Sequence, residues 1–369
     1  MQDPAVWQFS LNTLHAVAWG GSLLVALAAF AYYLRPRTLV IATTVATLGL
    51  VMLGAYVRLT DAGLGCPDWP GCYGRLSPTH AAAEIHAAEA VAPAGPVSLP
   101  KAWNEMLHRY FASFVGVMIM AIAWQTWRRR RRIDPGADDP SARTGLPFAI
   151  LGLVIVQGLF GKWTVTLLLK PAIVTLHLLG GMTLVALLAW LTARHLGISG
   201  GHASTLRGIR PWAILGVLIL GVQIALGGWV SANYAALACV DFPTCHGGWA
   251  PTMDFGQGFH FFRELGMTAE GEALSNQALN AIHWAHRVGA LVTFVYLVIL
   301  AHSAMRLRGL RRFGIALLVL LLVQVTLGIA NVLASLPLSS AVAHNGVAAL
   351  LLAALVMLNF AAYSPSSFR

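Results

Sequence analysis

Apolar positions fall into nine runs long enough to cross a bilayer, roughly 11–34, 38–59, 105–127, 146–168, 172–193, 211–232, 279–303, 313–335 and 341–363. In lipid, a lone segment satisfies its backbone hydrogen bonds only as a helix. The pattern therefore predicts an all-α polytopic membrane protein with nine spans. Two long polar stretches interrupt it, about 60–104 and 233–278, and they hold all four cysteines.

Composition agrees: of 369 residues, 57% are hydrophobic and 10% charged, and mean hydropathy is +0.70. A net charge of +10 would suit nucleic acid, but the arginines sit at the ends of apolar runs, where they report topology instead. Placing Arg128 to Arg132 in the cytoplasm also places Arg35, Arg37, Arg143, Arg194, Arg207, Arg210, Arg306, Arg308, Arg311, Arg312 and Arg369 there, 16 of the 24 Lys and Arg. The first run has neither a basic leader nor a small-residue cleavage site before Arg35, so it is read as a retained helix with its N-terminus outside. The C-terminus is then cytoplasmic and the cysteine loops lie on the outer face, where disulfides persist.

The chain repeats itself. Leu53, Gly54, Val57, Leu64, Cys66, Asp68, Pro70 and Cys72 recur at an offset of 173 as Leu226, Gly227, Val230, Leu237, Cys239, Asp241, Pro243 and Cys245. His108 and Arg109 recur as His286 and Arg287, at an offset of 178; Gln157, Gly161 and His177 recur as Gln324, Gly328 and His344, at 167. This order predicts an extra N-terminal helix (1–37), a four-helix bundle (38–193), a cytoplasmic linker (194–210) and a second four-helix bundle (211–363). Both units start inside, so they are parallel repeats about an axis near the membrane normal.

Histidine inside an apolar span is costly and signals function. His108, His177, His286 and His344 each lie a few residues past the outer end of a span, on the order of 5–10 Å deep. Two imidazoles at one depth fit a flat macrocycle with an axial ligand on each face better than a zinc site, which wants four N or S ligands, or a non-haem iron, which wants a carboxylate. Bis-histidine haem, one site per half, is the sharp expectation; a single such histidine also serves as a hydrogen-bond partner to a neighbouring helix. Glu105 stands one turn before His108, and the matching place in the second half holds His283. Arg109 and Arg287 are candidates to pair propionates or to anchor at the interface. Lys162 either snorkels outward or faces a propionate. Gly158, Gly161, Gly180, Gly181, Gly227, Gly228 and Gly328 permit close helix approach or make room for a ring. The spacing predicts disulfides Cys66–Cys72 and Cys239–Cys245, as structural clips or as redox pairs.

These motifs resemble the haem A synthases, the Cox15/CtaA family. The likeness covers about 38–363 and is carried by Gly54 through Cys72, by Glu105 with His108 and Arg109, by Gln157 to Thr164 with Pro171 and His177, and by the His286, Arg287 and His344 echoes. It implies an eight-helix core that oxidises the C8 methyl of haem O to the formyl of haem A for haem-copper oxidases. It places His108 and His177 at the substrate haem, His286 and His344 on the iron of a haem b that relays electrons, and Glu105 as the essential carboxylate. It implies a bacterial inner-membrane site, with haem O and membrane lipid as partners. Haem O synthase and cytochrome oxidase assembly factors are candidate partners, and a homo-oligomer is a candidate assembly. The chain departs from the pattern in its extra first helix and its long outer loops. Two other readings compete: a non-catalytic haem carrier or assembly factor, and a dihaem cytochrome b-like quinone oxidoreductase. Neither has an evident need for a carboxylate in one half alone.

Overall fold

The computed structural model describes residues 33–132, 145–201 and 206–364. Eight long apolar helices run through them: α1 (Pro36–Leu59), α2 (Leu99–Arg132), α3 (Leu146–Thr166), α4 (Pro171–His195), α5 (Arg210–Ala232), α6 (Asn276–Met305), α7 (Arg311–Leu333) and α8 (Leu338–Tyr363). Each covers one predicted run. The run at 11–34 lies almost wholly outside the described residues, as do 202–205 of the linker, so eight spans are seen where nine are expected. Pro36 and Pro171 open α1 and α4, where a missing N–H costs nothing, and Ser275 caps α6 by accepting from Ala278 N–H.

Helix contacts close two rings. α1 packs on α2 and α4, and α3 on the same two; α5 packs on α6 and α8, and α7 on those. The rings meet through α1 on α8, α4 on α5, and α4 on α8. Buried apolar clusters fill each ring toward the arginine-rich end, with Leu39, Ile119, Ile150 and Leu188 in one and Leu220, Leu297, Leu317 and Leu355 in the other. Exposed apolar side chains on α3 and α7, such as Ile155, Leu159, Val319 and Leu322, form surfaces suited to lipid.

The repeat extends to backbone conformation. Non-glycine residues with φ between 49° and 62° pair as Asp61 with Tyr234 and Tyr73 with His246, both at an offset of 173, and as Leu168 with Ser335 and Leu169 with Leu336, both at 167. Left-handed residues end a helix by turning the chain sharply, and without glycine they carry a steric cost. Among the described residues the β structure consists of isolated bridges, including the matched Cys72–Arg75 and Cys245–Gly248.

At the cysteine-loop end the two rings are tied together. The Arg58 guanidinium donates to Ser231 O (2.7 Å) and stacks 3.8 Å from the Tyr234 ring centroid, while the Tyr234 hydroxyl donates to Asp61 (2.7 Å). Lys170, between α3 and α4, pairs with Glu264 of the second long loop at 2.9 Å.

Candidate functional site

Each of the four histidines faces a glycine on the helix before its own. A Cβ built on Gly54 of α1 would stand 3.1 Å from Cε1 of His108 on α2; for Gly227 of α5 and His286 of α6 the distance is 3.0 Å. For Gly161 of α3 and His177 of α4 it is 3.6 Å, and for Gly328 of α7 and His344 of α8 it is 3.2 Å. Absence of a side chain lets the ring edge rest on the neighbouring backbone, which restricts the imidazole without hydrogen bonding it. His108 and His177 lie within electrostatic reach of one another, as do His286 and His344. All four are partly buried, and Nδ1 of His108, of His177 and of His344 is buried without a hydrogen-bond partner.

That donor set is of a kind that suits iron in a porphyrin: paired imidazoles, three of them with a buried Nδ1 that nothing bonds, each resting on a glycine. In each half such a pair could hold a haem.

Glutamines add a difference between the halves. Gln223 Nε2 lies 3.0 Å from His286 Nδ1 and donates to His286 O at 3.1 Å; Gln324 Nε2 lies 3.1 Å from His344 Nε2. Gln157, the repeat mate of Gln324, instead packs where a Cβ on Gly180 would fall. Gln223 escapes the repeat comparison because Leu50 holds its place in the first half. Its signal in the sequence is a polar side chain inside the 211–232 run.

The first disulfide loop is clamped to α2. Cys66 and Cys72 are bonded, with 4.8 Å between their Cα atoms, and Cys66 N–H donates to Glu105 Oε2 at 2.9 Å. Arg109 donates through Nη2 to Glu105 Oε1 (2.5 Å) and through Nη1 to the carbonyls of Asp68 (2.9 Å) and Gly71 (2.5 Å). Glu105 is 4% exposed. The second loop repeats the design, with Cys239 bonded to Cys245, Cys239 N–H facing His283 Nδ1 at 3.2 Å, and Arg287 Nε facing His283 Nε2 at 3.2 Å. Arg287 also donates to the carbonyls of Thr244 (2.7 Å) and Cys239 (2.9 Å). Arg109 and Arg287, candidates for propionates or for interface anchoring, both donate to loop carbonyls. Lys162 is exposed.

Inside each loop an aspartate gathers backbone N–H groups: Asp68 those of Tyr73 (2.6 Å) and Gly74 (2.7 Å), Asp241 those of His246 (2.7 Å) and Gly247 (2.9 Å). The Thr244 hydroxyl, 2.6 Å from Asp241, and these amides hold the Asp241 carboxyl well below the usual carboxylate range.

Residues 37–356 match the model of the COX15-CtaA family, described as cytochrome oxidase assembly protein. The chain is 40% identical to a haem A synthase of Shewanella oneidensis over 327 residues, 88% of this chain and 96% of that one. It is 28% identical to a haem A synthase of Rhizorhabdus wittichii over 349 residues (87% and 93%), and 28% identical to one of Halalkalibacterium halodurans over 243 residues (63% and 72%).

Proposed function

The chain belongs to the COX15-CtaA family, and from that premise we propose that it makes haem A, oxidising the C8 methyl group of haem O to a formyl group for haem-copper oxidases. The observation that carries the reading is the single carboxylate: two matched slots lie one helical turn from a histidine pair, and one alone, at Glu105, holds an acid. A carrier or an electron conduit would use both halves alike.

We assign His108 and His177 to the substrate haem, and His286 and His344 to a haem b. Haem b, when bound, supplies a one-electron couple between the substrate and an external acceptor. The contact rings and the paired left-handed residues support two parallel four-helix bundles, 38–193 and 211–363. The arginine distribution supports placing the cysteine loops outside a bacterial inner membrane, with the C-terminus in the cytoplasm.

A methyl hydrogen is not acidic, so the reaction starts by withdrawing electrons and proceeds through two hydroxylations to a geminal diol, which loses water. Counting the oxygen as water, R–CH3 + H2O gives R–CHO + 4 H+ + 4 e−. Positive charge develops beside the ring and protons leave. Glu105, held near His108 by Cys66 and Arg109, stabilises the one and accepts the other. Arg109 holds the loop over this site and fixes the direction of the carboxylate. The test is extraction of haems from membranes containing the protein and supplied with haem O: hydroxylated haem or haem A must accumulate, and unchanged haem O would sink the proposal.

A further inference from the structure

The two loop clamps are built alike and differ in charge. Glu105 faces two donors, Cys66 N–H and the Arg109 guanidinium, and a carboxylate has lone pairs for both. His283, also 4% exposed, faces the same two kinds of donor, Cys239 N–H on Nδ1 and the Arg287 guanidinium on Nε2. A neutral imidazole has one lone pair, so it satisfies one donor and leaves the other opposed.

Glu105 with Arg109 sums to zero, whereas His283 with Arg287 leaves a full guanidinium charge beside His286. The remaining partners of Arg287 are carbonyls. Asp241 lies within electrostatic reach of Arg287, but its repeat mate Asp68 occupies the same loop position in the first half, so it drops out of the comparison. Net charge near the ring is one of the levers a protein has over haem potential.

We propose that His283 is a positioning residue for electron transfer: by putting a neutral acceptor where the first half has a carboxylate, it leaves the second clamp one charge more positive than the first and raises the potential of the haem held by His286 and His344. The two halves are thereby polarised. The pair beside the ring that loses electrons is neutral, and the pair beside the ring that receives them carries one positive charge. This rests on the haem assignment above.

The experiment is a potentiometric titration of the low-spin haem in the purified full-length protein. His283→Glu should lower its midpoint, because glutamate fills the same slot in the first half and neutralises Arg287. Arg287→Gln should lower it too, and decides the matter if His283→Glu does not fold. His283→Gln, neutral for neutral, should move it little. A midpoint unmoved by either charge change, or moved as far by His283→Gln, would overturn the proposal. The haem assignment fails separately, if His286→Ala and His344→Ala both leave the low-spin spectrum intact.

Discussion

The backbone N–H of Cys66 donates to Glu105 Oε2 at 2.9 Å, which makes the first disulfide loop and the proposed catalytic carboxylate one mechanical unit. Two effects of losing the acid can therefore be separated. Glu105→Ala removes an acceptor and strands the Arg109 charge; breaking a buried pair from one side costs about 3–5 kcal/mol. Glu105→Gln keeps an acceptor for Cys66 and should lose less stability. Both should stop haem A formation with the haem pockets still occupied, while His283→Ala keeps substantial activity. Extracted-haem chromatography and thermal unfolding at matched expression distinguish these outcomes. Near-normal haem A from both Glu105 variants would mean that the carboxylate is structural.

The glycines that face the histidines make a graded series. A methyl on Gly227 or Gly54, at 3.0 and 3.1 Å from an imidazole carbon, forces the ring to shift, and overpacking of this kind costs about 1–3 kcal/mol. At Gly161, with 3.6 Å, the methyl is in ordinary contact. Gly227→Ala and Gly54→Ala should each reduce haem occupancy or change its spectrum, and Gly161→Ala should match the parent. Equal behaviour of all three would remove the cradle.

Both cysteine pairs should be oxidised in protein isolated without reductant, and mass spectrometry of alkylated peptides would show Cys66 with Cys72 and Cys239 with Cys245. Four freely alkylated thiols would contradict the structure. Because each bond closes a short loop, its removal should cost only about 2 kcal/mol on the entropy model.

Asp241 carries a pH signature. Its carboxyl titrates lower in the folded loop than in the unfolded chain, so its support is complete above about pH 4 and is lost as pH falls through the depressed folded value. Hydrogen exchange in residues 239–248, corrected for intrinsic rates, should show protection from neutral pH down to that range and its loss in stronger acid. In Asp241→Asn this acid dependence should vanish; its persistence would assign the effect elsewhere.

Span positions, histidine positions and disulfide spacing were legible in the sequence, because apolar length, intramembrane charge and repeat offset are one-dimensional signals. The work of Arg109 and Arg287 was not. Adjacency to His108 and His286 leaves a propionate partner and an interface anchor equally open, and nothing in it points to the loop 38 to 48 residues earlier whose carbonyls the guanidinium also reaches. Gln223 also stayed hidden, since its contact with His286 has no counterpart in the first half. Glu105 was visible as a charge, whereas its bond to the Cys66 amide appears only once the loop folds onto α2.

The tie between the rings has a genetic meaning. Arg58 touches Ser231 and Asp61 touches Tyr234, each across 173 residues, the offset that relates the cysteine loops. A residue meets its own repeat mate only where a two-fold axis passes, and in a dimer of identical chains both partners there must be the same amino acid. An arginine would confront an arginine, and an aspartate an aspartate. Joining two copies in one reading frame lifts that restriction, so that one position can become arginine and its twin serine, one aspartate and its twin tyrosine. The Arg58, Asp61 and Tyr234 cluster is a contact that one chain carrying both units can make and a symmetric dimer of a single unit cannot.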